Sequence, residues 1–477
     1  MRILLVGNPK TVKGFHRMTK IPSLNLASLA ANVDKSICEV RIADLVVKDR
    51  NPVEHLRRVL RDYRPELVGM TAMSFQFHRS MELARAVKDF DPGIQVVMGG
   101  YHVSADAENI IAGEDMKYID FLISGEGEIS FSALVKALHE GNGLETVPGL
   151  SYLDNGRAVH NPRPPLADPA SIRIPDRSAR IYKKGFHVLG RPGDVIETSR
   201  GCVFNCNFCS IRHMYGKSFR KYSIDRIITD LEDAKRHGAK AIFITDDNIT
   251  LDGKRYIELC ERIIKEKLNM IFAVQASVRG IKRSPGLARL MAEAGTRIVF
   301  LGIENASDEV LQSMGKSDQL KSSDTAQVVA ELRKHGIMVV GGFIFGYPDD
   351  TKETMLNNFR YAKEMKIELQ LFNILTPHLK TEIREDLLRD GFVTNPHDYS
   401  KYNHYASNVR TKHLSSEELY NIRNKMDSRY PVESGGIFRF IRCYPGYFAR
   451  LMFWMLKNEP VNWWNFVTGT VNRKNYR

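Results

Sequence analysis

The sequence contains no run of about 18 apolar residues, the length that a membrane-spanning helix needs, so no such helix is expected. Its first residues, Met1 to Gly7, resemble a strand and lack the longer apolar core of a signal peptide. Cysteine is scarce as well, because six residues in a chain of 477 make no disulfide framework. These absences predict a cytoplasmic protein with reduced thiols.

The composition is that of an ordinary globular protein, with 43% hydrophobic and 26% charged residues. A length of 477 residues argues for two to four domains. The net charge of +13 allows an acidic substrate, nucleic acid or an anionic lipid surface as partner. A solvated basic surface without a partner is the alternative interpretation.

Three of the six cysteines stand close together: Cys202, Cys206 and Cys209. Their C-x3-C-x2-C spacing needs a loop, because a helix would spread them over different faces, and Gly201 and Asn205 suit such a loop. Three thiolates cannot close a structural zinc site, but they can bind three irons of a [4Fe–4S] cluster and leave the fourth iron open. A partial zinc site and simple packing are the alternatives. The scattered cysteines are predicted to be structural: Cys38, Cys260 and Cys443.

This loop, with Phe208 as the aromatic residue of C-x3-C-x-aromatic-C, resembles that of the radical S-adenosylmethionine (SAM) enzymes. The resemblance implies that SAM chelates the open iron through its amino and carboxylate groups. It also implies that one electron from the reduced cluster cleaves SAM to a 5′-deoxyadenosyl radical, which abstracts hydrogen from an unactivated carbon. An electron donor such as flavodoxin or ferredoxin would then be a partner.

Predicted strands and helices alternate along residues 1–150. This alternation predicts an α/β domain with a parallel, doubly wound sheet. The predicted strands are Ile3–Val6, Val40–Ile42, Leu67–Thr71, Val96–Met98 and Phe121–Ile123. The predicted helices are Pro22–Asn32, Pro52–Tyr63, Ser80–Phe90 and Ser130–His139. In such sheets ligands bind at the carboxyl ends of the strands, where glycine and small polar residues gather here. The candidate cofactor-binding residues at these ends are Ser74, Gly99, Gly100, Gly125 and Glu126.

An α/β domain directly ahead of such a cysteine loop resembles the cobalamin (B12)-binding-domain class of radical SAM enzymes. The resemblance implies cobalamin as a cofactor. Many B12-binding domains carry D-x-H-x-x-G, whose histidine ligates cobalt, but the turn Asp44–Arg50 contains no histidine. Cobalamin without a protein ligand on cobalt, and a domain that keeps the fold without the cofactor, are both open. His78 and His102 lie near strand ends, where a lone histidine is more often a hydrogen-bonded surface or core residue.

Residues 151–190 are rich in proline and predict a linker. Residues 191–383 give six strand–helix units, two short of the eight that close a TIM barrel. The family resemblance implies a partial (β/α)6 TIM barrel here. The predicted fold class is therefore α/β: a Rossmann-like, B12-binding-type doubly wound sheet, the partial barrel and a mainly helical carboxyl-terminal tail at 384–477.

Polar residues and glycines end the barrel strands, at the face where barrel active sites lie. The resemblance implies that Phe208 lies against the adenine of SAM. Glu304 would accept its amino group or a ribose hydroxyl, and Gln275 and Ser277 would bind its carboxylate or ribose. The stretch 341–346 resembles the family's G-x-I-x-G strand, which makes Gly342 and Phe345 candidate adenine contacts. Ordinary capping of helices or loops is the alternative for each polar residue.

The tail from Gly435 onward carries seven Lys or Arg residues against one acid, Glu459, with dense aromatics. Basic and aromatic residues together are typical of a lipid interface. A helical cap on the barrel is the alternative, and nucleic acid is the least favoured partner.

The leading functional hypothesis is a radical SAM enzyme that uses cobalamin to methylate an unactivated carbon of a small molecule, which could be a lipid. Oxidative cyclisation or carbon–carbon coupling on a lipid or tetrapyrrole-like substrate is the runner-up. An Fe–S sensor or scaffold without catalysis is the alternative of another class. RNA methylthiolation is rejected, because that family carries three further cysteines in its first domain and this one has only Cys38.

Overall fold

The structure, a computed structural model, describes residues 1–9, 19–48, 50–316, 321–443 and 445–458. The chain forms two compact units. The first consists of Met1–Val203 and Ser210–Lys240, and the second of Phe204–Cys209 and the chain from Ala241 onward. Each unit is described by itself.

The first unit contains a seven-stranded sheet in the order β3-β1-β4-β5-β6-β7-β8. Its first five strands are parallel, and β7 and β8 extend it as an antiparallel hairpin. The strands of this unit are β1 Arg2–Gly7, β2 Thr19–Lys20, β3 Glu39–Asp44, β4 Leu67–Thr71, β5 Gln95–Gly99, β6 Phe121–Ile123, β7 Leu150–Asp154, β8 Arg157–His160, β9 His187–Val188, β10 Arg191–Ile196, β11 Ser199–Arg200 and β12 Arg220–Lys221. The predicted doubly wound α/β domain is confirmed.

Helices cover both faces of this sheet, because alternate residues of each buried strand point to opposite sides. Leu4 of β1 belongs to one apolar core, whereas its neighbours Ile3 and Leu5 belong to the other. The helices of this unit are α1 Leu24–Asn32, α2 Pro52–Tyr63, α3 Phe77–Phe90, α4 Tyr101–Ala112, α5 Gly127–Glu140, α6 Ile211–Tyr215 and α7 Ile224–Arg236.

The order of the parallel strands reverses direction at β1 and β4. This is the switch point at which doubly wound sheets bind ligands, outside the carboxyl ends of the strands. The residues that follow these two strands, Asn8 and Ala72 to Ser74, therefore mark the first candidate site.

The second unit contains five parallel strands in chain order, β13 to β17, each paired with the next. They are β13 Ala241–Ile244, β14 Ile271–Ser277, β15 Thr296–Glu304, β16 Met338–Phe345 and β17 Leu369–Ile374. This curled sheet confirms the predicted partial barrel. The predicted strand ahead of the cysteines is β10.

The barrel helices are α8 Gly253–Lys265, α9 Val278–Lys282, α10 Leu287–Ala294, α11 Asp308–Ser313, α12 Ser322–Lys334 and α13 Lys352–Glu364. The tail is helical, as predicted: α14 Glu382–Arg389, α15 Ser416–Glu433, α16 Gly436–Cys443 and α17 Pro445–Asn458. Ser415 caps α15, since its Oγ accepts from the Glu418 backbone N–H at 3.2 Å. None of the described helices combines the length and the apolar character that a membrane span requires.

Candidate active site

The three motif cysteines are half-buried in the loop that follows β11. Gly201, directly ahead of Cys202, has φ +87°, and a Cβ there would lie 2.5 Å from the Ser218 carbonyl oxygen. Only glycine fits this turn into the motif. Within the described residues, no three metal-binding side chains are grouped around one position. Three thiols are a donor set that suits three irons of a cluster, and the assignment of these cysteines as its ligands stays a prediction.

Asn207, between Cys206 and Cys209, fixes the cysteine segment within the second unit. Its backbone N–H donates to the Met314 carbonyl at 3.2 Å, and its side-chain amide donates to the Ser313 carbonyl at 2.9 Å. The Tyr347 hydroxyl donates to Asn207 Oδ1 at 3.2 Å. Since Tyr347 follows β16 and Ser313 ends α11, these contacts hold the segment at the carboxyl-end face of the barrel sheet.

Glu304 and Lys316 form an ion pair beside this segment. Glu304 ends β15 in a left-handed conformation, with φ +64°, and its Oε1 accepts from Lys316 Nζ at 2.6 Å. The Lys316 ammonium also lies 5.9 Å from the centroid of the Phe208 ring. Burial lowers the pKa of Lys316, but the Glu304 carboxylate and the Cys206 thiol outweigh it and raise that pKa above its ordinary value. The lysine is therefore a fixed cation beside the cysteines.

Two glycines lie opposite each other on the paired strands β15 and β16, and one of them lies beside this ion pair. Gly302 and Gly342 are partners in the register of the two strands. A Cβ on Gly302 would lie 2.7 Å from Glu304 Oε1 and 3.3 Å from Lys316 Nζ. A Cβ on Gly342 would meet only the Leu301 carbonyl, at 3.8 Å. Glycine at 302 therefore makes room for the Glu304–Lys316 pair itself, whereas glycine at 342 leaves the surface of β16 open at that point.

The remaining predicted barrel residues have local partners. Gln275 Nε2 donates to the Asp246 carbonyl at 3.2 Å, and Ser277 Oγ caps α9 by accepting from the Gly280 N–H at 3.1 Å. The ring of Phe345 is fully buried and lies 5.5 Å, between centroids, from that of Phe372. Contacts of these residues with a cofactor stay predictions, and for Phe345 only the backbone is placed to make one.

Three residues of this site were not predicted from the sequence: Asn207, Lys316 and Tyr347. Tyr347 stands in a Gly-Tyr-Pro turn that signals only a strand end. Burial, and next the Glu304 carboxylate and the Cys206 thiol, raises the pKa of Tyr347 well above its ordinary value, so it stays a neutral donor. The one local sequence signal for Lys316 is the glycine that precedes it, which indicates a turn. Gly315 has φ +74°, and a Cβ on it would lie 2.5 Å from the Asn205 carbonyl oxygen.

The second candidate site is the carboxyl edge of the first sheet. Asn8 is buried and donates to the Thr71 carbonyl at 2.8 Å, whereas its Oδ1 has no hydrogen-bond partner among the described residues. Predicted Ser74 and buried His102 meet there, with 3.3 Å between Ser74 Oγ and His102 Nδ1. Burial lowers the pKa of His102 to about 4, so the ring is neutral. The side chains of Asn8, Ser74 and His102 are therefore polar and uncharged at this part of the edge.

The predicted glycines shape the same edge. Gly100 has φ +97°, and a Cβ would lie 2.7 Å from Thr71 Oγ1, so glycine is required for the turn into α4. Gly99 lies beside Ile123 of β6. Gly125 has φ +94° with nothing closer than 4.0 Å to a Cβ, and its N–H donates to Ser104 Oγ at 2.9 Å.

Glu126 and Asp44 have firm protein partners. The Glu126 carboxylate is ion-paired with Arg200 and Arg220, so a cofactor contact of this side chain stays a prediction. Asp44 is buried at the end of β3, where its Oδ2 accepts from the Ser23 N–H at 2.6 Å. His78, the other strand-end histidine, is exposed on α3 and pairs with Glu82 at 3.3 Å.

Two family models match the chain. The Radical SAM superfamily matches residues 196–362, and the B12 binding domain matches residues 14–135. These ranges contain the cysteine loop with most of the barrel and most of the first sheet, respectively.

Individual proteins are similar over longer stretches. The uncharacterized methyltransferase PH0819 of Pyrococcus horikoshii is 32% identical over 429 residues, 89% of this chain and 91% of that protein. An anaerobic magnesium-protoporphyrin IX monomethyl ester cyclase of Cereibacter sphaeroides is 27% identical over 77% of this chain and 60% of its own length. Among solved structures, the radical SAM methyltransferase TsrM of Kitasatospora setae, with cobalamin and a [4Fe–4S] cluster bound, has a TM-score of 0.67. It is 21% identical and covers 83% of this chain and 76% of its own, a likeness of fold.

Proposed function

The chain belongs to the radical SAM enzymes that carry a B12-binding domain, and on that basis we propose that it methylates an unactivated carbon of a small molecule. The observation that carries the proposal is the cysteine segment held beside the Glu304–Lys316 pair at the carboxyl ends of the barrel strands. The uncharacterized methyltransferase PH0819 of Pyrococcus horikoshii matches along nearly its whole length, and its name favours methyl transfer as the outcome.

Cys202, Cys206 and Cys209 would hold the [4Fe–4S] cluster, because the loop presents three thiols and no fourth. The chemistry that such a cluster supplies is one-electron reduction of SAM at its open iron. The chain's own contribution is electrostatic: Lys316 is a buried cation beside two of the thiols, and cations near thiolates favour their ionised form. Reduction needs an electron donor, and a flavodoxin or ferredoxin is proposed for that role.

The residues around Gly302 and Gly342 are proposed to bind SAM. The open surface at Gly342 would take the flat adenine, with Phe208 against it, and the Glu304 carboxylate and Lys316 ammonium would be partners for the zwitterionic end of SAM. Gln275 and Ser277 lie at the end of the preceding strand and are proposed to contact ribose or carboxylate oxygens. Tyr347 stays protonated and keeps Asn207, and with it the cysteine segment, in place.

Cobalamin is proposed to bind at the carboxyl edge of the first sheet. Asn8 Oδ1, buried and without a partner among the described residues, is an acceptor that a donor on the corrin side chains would satisfy. With His102 buried and packed against Ser74 and Phe77, and no histidine in Asp44–Arg50, no imidazole is expected on cobalt. The Co(II) form should show no nitrogen superhyperfine splitting in electron paramagnetic resonance (EPR), and a clear splitting would exclude the unligated form.

Oxidative cyclisation remains the second candidate, because the cyclase from Cereibacter sphaeroides is similar over 77% of this chain. Anaerobic incubation with SAM and reductant separates an enzyme from a non-enzymatic Fe–S protein by the formation of 5′-deoxyadenosine. Counting iron and corrinoid in the same sample tests both cofactor assignments.

The tail is proposed to meet an anionic lipid surface. Phe438 of α16 and Phe453 of α17 are 67% and 71% exposed, and Val432 and Leu456 are exposed as well. Large apolar side chains beside an excess of cations favour attachment to lipid headgroups. Much of the predicted basic and aromatic segment, from 459 onward, lies outside the described residues.

A further inference from the structure

In the first unit, two short strands on either side of the cysteine loop pair with each other and form the base of the loop. β11 and β12 flank the loop in sequence and pair antiparallel, with Arg200 directly opposite Arg220. Like charges directly opposite each other in a ladder repel. Both guanidinium groups are largely buried, so their charges need a partner at this position.

Glu126 is the carboxylate shared by the two arginines. Its Oε1 accepts from Arg220 Nη2 at 2.7 Å and from Arg200 Nη1 at 3.1 Å, and its Oε2 accepts from Arg220 Nη1 at 3.0 Å. The Ala167 N–H donates to Oε2 at 2.8 Å. Glu126 lies in the glycine turn after β6, at the carboxyl edge proposed for cobalamin. One carboxylate thus ties this turn to the base of the cysteine loop.

Arg200 has two further acids that hold it when Glu126 is absent. Its Nη2 donates at 2.6 Å to both Glu128 Oε1 and Glu197 Oε1. For Arg220, by contrast, Glu126 supplies the ion pair, and the Ala167 carbonyl supplies a neutral acceptor at 2.5 Å. Loss of the Glu126 charge therefore affects Arg220 more than Arg200.

A second contact joins the same two regions. His213 of α6, four residues after Cys209, has its Nε2 3.3 Å from the Ser104 carbonyl oxygen of α4. Ser104 Oγ in turn accepts from the Gly125 N–H at 2.9 Å. The turn that contains Glu126 is thus linked to both sides of the cysteine motif, through β11 ahead of it and α6 after it.

We propose that Glu126 is a positioning residue that holds Arg200 and Arg220 side by side and so sets the conformation of the cysteine loop from the turn after β6. The inference rests on the proposed function, since it assigns the loop to a cluster. It differs from a cofactor contact of Glu126, because the carboxylate acts through the two arginines.

The test compares Glu126→Gln, Arg220→Gln and the double variant with the wild-type enzyme, each with its cluster reconstituted. The reduced cluster is followed by EPR during titration with SAM. We expect Glu126→Gln to raise the half-saturating SAM concentration about tenfold, which corresponds to about 1.4 kcal/mol. Since Arg220→Gln removes the cation that Glu126→Gln leaves uncompensated, the double variant should return most of the way to the wild-type value.

Asp233→Asn is the matched control, because Asp233 belongs to another ion-pair network of the same unit, with Arg177 at 3.0 Å. It should lower thermal stability without changing the EPR titration. The inference would be overturned if the half-saturating SAM concentration of Glu126→Gln equals that of the wild-type enzyme. It would also be overturned if the double variant has a higher value than Glu126→Gln.

Hydrogen exchange of the iron-free protein gives a readout that needs no cluster. Exchange should rise at residues 199–201 and 219–222 in Glu126→Gln and fall back in the double variant, and equal exchange in all forms would also overturn the inference. If wild-type protein takes up no iron, the proposed function fails. If the wild-type protein takes up iron and binds SAM, and Glu126→Gln does so equally well, only the proposed role of Glu126 fails.

Discussion

Lys316 Nζ donates to Glu304 Oε1 at 2.6 Å, and both side chains are largely buried at the carboxyl ends of the barrel strands. The contact of Glu304 with SAM stays a prediction, and its ion pair with Lys316 was not predicted from the sequence. The pair gives the site one fixed negative and one fixed positive charge, the complement of a zwitterionic ligand.

Lys316→Met should leave the Glu304 carboxylate buried and unpaired, which costs about 3 kcal/mol of unfolding free energy when one partner of a buried pair is removed. Chemical denaturation of iron-free protein measures this loss. The double variant Lys316→Met/Glu304→Gln should recover stability but not SAM affinity, because both charges that face the ligand are gone. Recovery of SAM affinity in the double variant would contradict the assignment.

Replacing Cys202, Cys206 or Cys209 with Ala should remove most iron and all SAM cleavage while the melting temperature of the iron-free protein stays unchanged. The thiols are half-buried in a loop, whereas stability resides in the two large units. Cys260→Ala is the control, since Cys260 is buried in α8 and should keep full iron. Full iron content in any motif variant would refute the ligand set.

The strands and helices followed from the sequence because their apolar periodicity is strong. Leu67–Thr71, Met338–Phe345 and Pro52–Tyr63 have the predicted bounds. The domain boundaries predicted at 150, 190 and 383 stay predictions, as the compact units divide the chain differently.

Among the elements that the sequence analysis missed, two have identifiable reasons. The predicted linker contains the hairpin β7–β8, whose Asn155-Gly156 turn has φ +46° and +79°. An Asn-Gly pair between short strands is a hairpin signal that the surrounding prolines obscured. Helix α4 was missed because Gly99 and Gly100 predict a turn; Gly99 ends β5, Gly100 alone forms the turn, and α4 starts at the next residue.

Ion pairs between distant residues could not be predicted. Glu126 with Arg220, and Glu304 with Lys316, are set by how elements pack rather than by local pattern. A polar residue at a strand end gives the same sequence signal whether it meets a ligand or another side chain.

The free energy of unfolding should fall on acidification, in part because of His102. Its folded pKa of about 4 lies below the ordinary 6.5, so the unfolded chain takes up a proton that the folded protein does not. The contribution of neutral His102 to the free energy of unfolding is fully present above pH 6.5 and is lost as the pH falls toward 4. This loss is about 3 kcal/mol at most. His102→Gln should lose less stability between about pH 7 and pH 4.5 in urea denaturation. An equal loss in both proteins would show that His102 carries no such linkage.

The full-length protein should sediment with anionic vesicles. Its binding should weaken as the salt concentration rises, but part of the binding should resist salt. Cations near an anionic surface contribute about 1 kcal/mol each, screened by salt, and buried apolar area about 25 cal/mol per Å². Phe438→Ser/Phe453→Ser should remove the salt-resistant part. Leu153→Ser, an exposed apolar residue of β7, is the control and should bind as wild type. Absence of vesicle binding at low salt would make the tail a structural cap.

The central claim is methyl transfer by a radical SAM enzyme. Cells that express the wild-type protein or its Cys206→Ala variant would be grown on methionine labelled with ¹³C in the methyl group, and their metabolites compared by mass spectrometry. A metabolite that gains one labelled methyl should appear only with the wild-type protein, while its precursor without that methyl accumulates with the variant. A wild-type-dependent product that has lost hydrogen and gained no labelled carbon would contradict methyl transfer and establish cyclisation instead.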